Sequence, residues 1–371
     1  MSGKHLHIIS FDVPYPPDYG GVIDVFYKIK ALHEAGFRVH LHCFEYGRPR
    51  APELEKICEQ VFYYRRHMSK RYLFNPLPYI VVTRRSEELM KELLKDRNPI
   101  LFEGLHSCYH LTDPRLKGRI LLVRTHNIEH DYYNNLSKVE KSVFRKAYFK
   151  REAIKLKRYE NVMSLADQIL AISRPDEEVL KERFQNVLLM SAFHPNETVK
   201  VRPGLGEFAL YHGNLEVGEN NEAALYLTEQ VFSKTSVPLV IAGKNPSPGL
   251  KAAVAKYPNI SLKANIPTNE IDELIRQAQV NVLPTFQATG IKLKLLAALF
   301  NGRHCLVNSP MVMNTGLERL CSIRDDAESM RLETERLFLQ PFGEQELAKR
   351  REVLFSDFSN KENIIRLTNL L

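Results

Sequence analysis

Two doubly wound α/β domains, each a parallel sheet flanked by helices, are the fold class this sequence predicts, and three observations predict it. The 371 residues exceed one ordinary core. Short apolar runs alternate with helical periodicity through both halves, as strands joined by crossover helices require. A polar stretch at 191–206, broken by Pro195, Pro203 and two glycines, separates the halves, after which the pattern restarts. The expected domains are 1–192 and 193–357, with a helix at 358–371 returning to the first.

Residues 5–11 read as the first strand, and a loop rich in Pro, Tyr and Gly leads to a helix over 22–35 stopped by Gly36. Further strands are expected at 37–44, 61–64, 100–103, 119–124, 168–172 and 187–190, with a helix over 86–95. The second half repeats the scheme with strands at 208–212, 239–242, 260–263, 280–283 and 305–307. From Asp325 onward the chain reads as helical.

The stretch 279–308 carries the clearest chemical signal. A strand stopped by Pro284 precedes a helix with apolar Leu293, Leu295, Leu296 and Leu299. Thr289 is placed to cap that helix, Gly290 to let the backbone approach a ligand, and Gly302 to end it. Lys292 and Lys294 in its first turn oppose the helix dipole unless an anion sits there. The segment from Thr289 through Ile291 to Lys294 is therefore a candidate phosphate cradle; a solvated lysine pair is the plainer alternative.

Ligands of doubly wound sheets bind beyond the carboxyl ends of the strands, where strand order reverses. That rule selects the loop carrying Gly20 and Gly21 and the strand end at Glu103 in the first domain. In the second it selects Gly213, Asn214 and the Thr285–Lys294 segment, where the helix-terminus reasoning also leads.

A formal net charge of +8 favours an acidic partner. Between Lys138 and Arg158 nine residues are Lys or Arg, opposed only by Glu140 and Glu152. Val139, Val143, Ala147, Ile154 and Tyr159 recur about one turn apart, predicting one long helix. Its basic face is either simply solvated or docks on an anionic membrane surface. No RNA-binding signature accompanies it, so nucleic acid is not an expected partner. Five scattered cysteines without a CxxC point to buried thiols in a reducing compartment, and no apolar run approaches a membrane span. The expected location is cytoplasmic.

Several segments resemble the family-4 retaining glycosyltransferases of the GT-B fold. PYPPDYGGVIDVFYKIKAL (14–32) is similar to their glycine loop and following helix, LVRTHNIEHDYY (122–133) to the histidine segment closing the fifth strand, and ILAIS (169–173) to the strand leading out of the first domain. YHGNLEVGENNEAAL (211–225), VIAG (240–243) and LPTFQATGIKLKLLAAL (283–299) follow the order of the second domain. The resemblance implies two Rossmann-like domains facing across a cleft, the first serving the acceptor and the second a nucleotide-sugar donor. It implies a hexosyl transfer to a glycan or lipid-linked acceptor, with neither metal nor cofactor.

On that reading Gly20, Gly21 and Asn127 lie near the acceptor or sugar phosphate, His126 hydrogen-bonds the transferred sugar, and Glu103 is a second catalytic candidate. Gly213, Asn214, Lys244, Thr289, Gly290, Ile291, Lys292 and Lys294 would hold the donor. The family's two glutamates fall at Thr289 and Ala297, its arginine at Asn214, and its lysine near Glu219 and Asn220. Lys292, Lys294 and Lys244 are the available substitutes for the phosphate contacts. Two alternatives follow from these departures: a non-catalytic partner in glycan synthesis, or a nucleotide-sugar epimerase using Glu103 and Glu129.

Overall fold

The computed structural model describes residues 4–140, 142–286 and 293–371. The chain divides into two units; the first ends at Pro195 and takes back Phe358–Leu371, and the second is Asn196–Asp357.

The first unit is a seven-stranded parallel sheet built from β1 (His5–Ser10), β2 (Arg38–Glu45), β3 (Gln60–Arg65), β4 (Ile100–Glu103), β5 (Leu121–Arg124), β6 (Gln168–Ala171) and β7 (Val187–Leu189). Its order is β3-β2-β1-β4-β5-β6-β7, so the strand order reverses between β1 and β4. Parallel strands need helical crossovers that cover both faces, which is why β4 and β5 are buried at every position. The first helix, Gly20–Glu34, lays Val22, Val25, Ile29 and Leu32 on one face of the sheet. The Asn360–Thr368 helix adds Ile364 and Leu367 to the same core, and Asn363 donates to the Ser191 carbonyl at 3.0 Å.

The β1 and β2 faces carry a ladder of four imidazoles. His5 pairs with His40 at 2.8 Å and His7 with His42 at 2.9 Å, while Tyr64 and Asp96 close the His42 and His7 ends. In-register pairing puts His7 directly opposite His40, so the rings stack. Burial, against the smaller pull of Asp96, lowers His7 to about 4, and burial holds His42 well below its ordinary value.

One expected element is corrected. The basic stretch is two helices, Glu129–Val139 and Val143–Tyr159, packed on each other with the Tyr133 and Phe149 rings in edge contact. Glu140 takes an extended conformation and its Oε1 accepts the Ser142 N–H at 3.0 Å, so a local side-chain bond replaces helix continuation. The anticipated apolar stripe holds only at Tyr159, which is buried: Val143, Ala147 and Ile154 are exposed, and Ala153 and Leu156 are the buried apolar residues instead.

The second unit is a six-stranded parallel sheet of β8 (Ala209–Asn214), β9 (Leu239–Lys244), β10 (Ile260–Ala264), β11 (Val280–Val282), β12 (His304–Val307) and β13 (Ser322–Ile323), ordered β10-β9-β8-β11-β12-β13. The two-residue β13 is too short for periodicity to reveal. The Leu293–Asn301 helix does end at Gly302, but not through a left-handed cap. A Cβ at Gly302 would lie 2.2 Å from Asn281 Nδ2, so close packing against β11 is what requires glycine there. No helix among the described residues is long and apolar enough to cross a membrane.

The imidazole ladder sets a pH dependence. Between pH 6.5 and about 4 the unfolded chain binds protons that folded His7 does not, so its contribution to stability is present above pH 6.5 and lost as pH falls through that window. His42, His194 and His212 act in the same sense, Glu129 and Asp176 in the opposite one. The urea midpoint is expected to fall between pH 7 and pH 5; a midpoint that rises over that range contradicts the buried-imidazole account.

Candidate active site

In the first unit the site is organised by charges that no solvent reaches. Asp24 and Lys28 sit one turn apart on the first helix, within its buried face, and both are fully buried. Asp24 Oδ1 and Oδ2 accept from Arg124 Nη2 and Nε at 3.0 and 3.1 Å, a bidentate pair across 100 residues of sequence. Lys28 Nζ bridges Asp24 Oδ2 at 3.0 Å and Glu103 Oε1 at 2.6 Å. Glu103 Oε2 accepts from His126 Nε2 at 3.0 Å. Burial alone would raise both carboxyls; Arg124 and Lys28 outweigh it at Asp24, and Lys28 with His126 outweighs it at Glu103, so both are held below the ordinary carboxylate range.

The network also reaches the chain segment that leaves the sheet. Arg124 donates to the carbonyls of Ala171, Met190 and Ser191, and the Phe193 N–H donates to Asp24 Oδ1 at 2.7 Å. Asp24, Glu103 and His126 bring three donor atoms within 4.8 Å, the spacing of a metal's ligands. Lys28, Arg124 and the Phe193 amide already occupy the carboxylate oxygens, so the cluster fits an ion-pair network better than a cation.

His126 Nδ1 has no hydrogen-bond partner and lies 3.9 Å from Asp24 Oδ2. Around the ring stand Phe11, edge-on at 5.3 Å, and His106, which contacts the same Phe11 at 5.4 Å. Gly104 (φ +70°) makes the junction; a Cβ there would lie 3.0 Å from His106 Nδ1. His106 Nδ1 and Glu129 Oε1 face each other at 3.8 Å, both without hydrogen-bond partners. Burial, with Glu160 nearby, raises Glu129 to about 8, so this carboxyl is largely protonated at neutral pH. Unsatisfied polar atoms converging where the strand order reverses are what a polar ligand would satisfy.

The structure thus brings Glu103, His126 and Asn127 to one sheet end, Asn127 bonding to Glu129. Gly20 and Gly21 belong to the first turn of the helix rather than to a loop. Gly21 is a packing glycine, since a Cβ there would meet the Phe11 ring at 2.7 Å, whereas Gly20 has open space around it. Lys28, Asp24, Arg124, His106 and Phe11 were not anticipated. An Asp and a Lys four residues apart inside the Val22–Leu32 apolar face was the available signal.

In the second unit Gly213 and Asn214 end β8 beside Gly243 and Lys244 of β9. A Cβ at Gly243 would lie 1.9 Å from the Gly213 carbonyl oxygen, so this pair of strand ends is backbone against backbone. Asn220 Nδ2 donates to the Asn214 carbonyl at 2.9 Å, and Lys294 Nζ reaches Asn220 Oδ1 at 2.9 Å while lying over the Tyr211 ring. Gly213, Asn214, Lys244 and Lys294 therefore share one end of the sheet. Thr289, Gly290, Ile291 and Lys292 lie outside the described residues. Ala297 packs against the Leu210–Leu274 cluster.

Residues 207–337 match the family model described as glycosyl transferases group 1. An uncharacterized 44.6 kDa protein from a Klebsiella pneumoniae cps region is 27% identical over 313 residues, 79% of this chain and 80% of that protein. Among solved structures, sucrose-phosphate synthase of Thermosynechococcus elongatus matches with a TM-score of 0.69 at 14% identity, covering 99% of this chain and 98% of that one. Anabaena HepE, solved with UDP and glucose, matches at 0.65 and 10% identity, covering 99% and 100%.

Removing the Asp24 carboxylate leaves Arg124 buried without a counter-charge. Asp24→Ala is expected to lower stability by about 3–5 kcal/mol in urea melts; a loss below about 1 kcal/mol would contradict the ion-pair assignment.

Over residues 207–337 the second unit matches the glycosyl transferases group 1 model, and the chain as a whole has the GT-B fold.

Proposed function

We propose that this chain transfers a hexosyl unit from a nucleotide-sugar donor to a glycan or lipid-linked acceptor, with retention and without a metal. The single observation that carries the reading is the group 1 domain joined, in one chain, to a first unit whose sheet end presents His126 on the ion-paired Glu103. Solved relatives of the same fold hold UDP with glucose or a UDP-sugar, and the Klebsiella relative lies in a cps region. Both facts fit a nucleotide-sugar enzyme of polysaccharide assembly.

In this reading the leaving diphosphate is held by the strand ends at Gly213 and Asn214, by Lys244 and by Lys294, with the Thr289–Lys292 stretch, outside the described residues, as the expected cradle. Lys294 stands beside Asn220, near the place the family's lysine would occupy, which supports its role as a substitute. His126 keeps its Nε2 on Glu103, and its Nδ1, buried and without a hydrogen-bond partner, is the atom a sugar hydroxyl would satisfy once the donor opens the site.

A non-catalytic partner role is the second reading. Its support is Ala297, whose packing against the apolar cluster leaves no ribose anchor at that position. The epimerase alternative fares worse, because Glu103 is sealed and ion-paired to Lys28 rather than open to a sugar.

The membrane part rests on the Val143–Tyr159 helix. Val143 and Phe144 are 78% and 90% exposed beside Arg145 and Lys146, an apolar tip in a basic collar that complements an anionic bilayer. The cytoplasmic membrane face is the location this implies.

Turnover with a panel of nucleotide sugars tests the activity. His126→Ala is expected to lower kcat by about 100-fold, and Lys292→Ala or Lys294→Ala to weaken donor use by roughly 10- to 100-fold, the value of one charge-assisted bond. Unchanged turnover in all three removes the site assignment, and calorimetry showing no nucleoside diphosphate binding favours the non-catalytic reading. Co-sedimentation with phosphatidylglycerol vesicles is expected to fall on raising salt and in Phe144→Ser; binding indifferent to acidic lipid contradicts the membrane surface.

A further inference from the structure

The second unit has a cavity at the end of its sheet remote from Gly213 and Lys244. The amino ends of β12 and β13, the last turn of the Ala327–Leu339 helix and the first turns of the Glu344–Asp357 helix enclose about 200 Å³. It shares no residue with the strand ends assigned above to the donor.

Its floor is a buried cation with no counter-ion. Arg350 is 2% exposed and donates to the carbonyls of Leu299, Gly302 and Arg303, with its guanidinium over the Phe342 ring at 4.6 Å. Those carbonyls accept from its Nη1 and Nη2 without balancing its charge; Glu346 acts on it from a distance, and no described carboxylate is within ion-pair distance of it. A buried charge without a partner is costly unless an anion can approach.

The rim adds to the charge rather than offsetting it. Arg319 and Lys349 line the opening with no ion-pair partner among the described residues, and Arg336 joins them from its pairing with Glu333. Glu346 is the one acid in the lining, and it folds back over Gly343, where a Cβ would lie 2.9 Å from its Oε2. The volume is below the roughly 300–1,000 Å³ of sites for drug-sized ligands, so a compact ligand is required.

We infer that this cavity is a second anion site, for a phosphate monoester or pyrophosphate on a small polar body, separate from the donor site. The phosphate would enter between Arg319 and Lys349 and neutralise Arg350 from the cavity side.

Thermal shift and calorimetry on the whole chain test this with glucose 6-phosphate, inorganic pyrophosphate and, as the uncharged control, glucose. Binding is expected for at least one phosphorylated probe and not for glucose, with at least a tenfold affinity loss in the Arg319→Gln/Lys349→Gln double variant. Both positions are exposed, so the variant should melt as wild type does and keep its response to nucleoside diphosphates. If only pyrophosphate binds, the ligand is a free diphosphate; if glucose 6-phosphate binds better, it is a sugar ester. The inference is overturned if no phosphorylated probe binds, if the double variant binds as tightly as wild type, or if UDP displaces the probe competitively.

Discussion

The pair Asp24–Arg124, extended through Lys28 to Glu103, is the constraint on which the first unit depends. Four fully buried charges would be prohibitive singly, because each loses its hydration. Here each oxygen of the two carboxylates has a donor within about 3 Å, and the two positive charges match the two negative ones. Truncating any member strands its neighbours, so the four residues act as one unit.

What the network fixes is position. The first helix contributes Asp24 and Lys28, β4 ends in Glu103, β5 ends in Arg124, and the departing segment 190–193 is bound through its backbone. Asn363 then fastens the returning helix to Ser191. His126 is the outlet of this arrangement: one ring nitrogen is anchored to Glu103, and the other is buried without a hydrogen-bond partner beside Phe11, where the strand order reverses. The second unit uses a different device at the same topological place, glycine strand ends and a lysine drawn over Tyr211.

The architecture was legible because parallel sheets write themselves as apolar runs separated by helical periods. β4 and β5 open on unbroken apolar runs, and β1 sets Leu6, Ile8 and Ile9 among its two histidines, so the pattern stays readable. The helical hairpin was not legible. Its break at Glu140–Ser142 rests on one side-chain bond to a backbone amide, and basic residues on both sides of it look alike in sequence. His126 and Glu103 could be chosen from topology and resemblance, yet their partners could not: Arg124 lies 100 residues from Asp24, and only the fold makes that a contact. Gly302 was chosen correctly as a helix end for the wrong reason, since its demand comes from Asn281 on a neighbouring strand. Arg350 reads as an ordinary basic residue on a polar helix, and its burial depends on carbonyls from the loop around Gly302.

The central claim, that the buried charges hold His126 by its Nε2 on Glu103, is tested most directly by the ring N–H resonance of His126 in a 15N-histidine-labelled sample. A slowly exchanging, hydrogen-bonded Nε2–H that is lost or moved when Lys28→Met releases Glu103 is the predicted result. A ring proton that exchanges as fast as those of surface histidines, or one indifferent to the loss of Lys28, would contradict it.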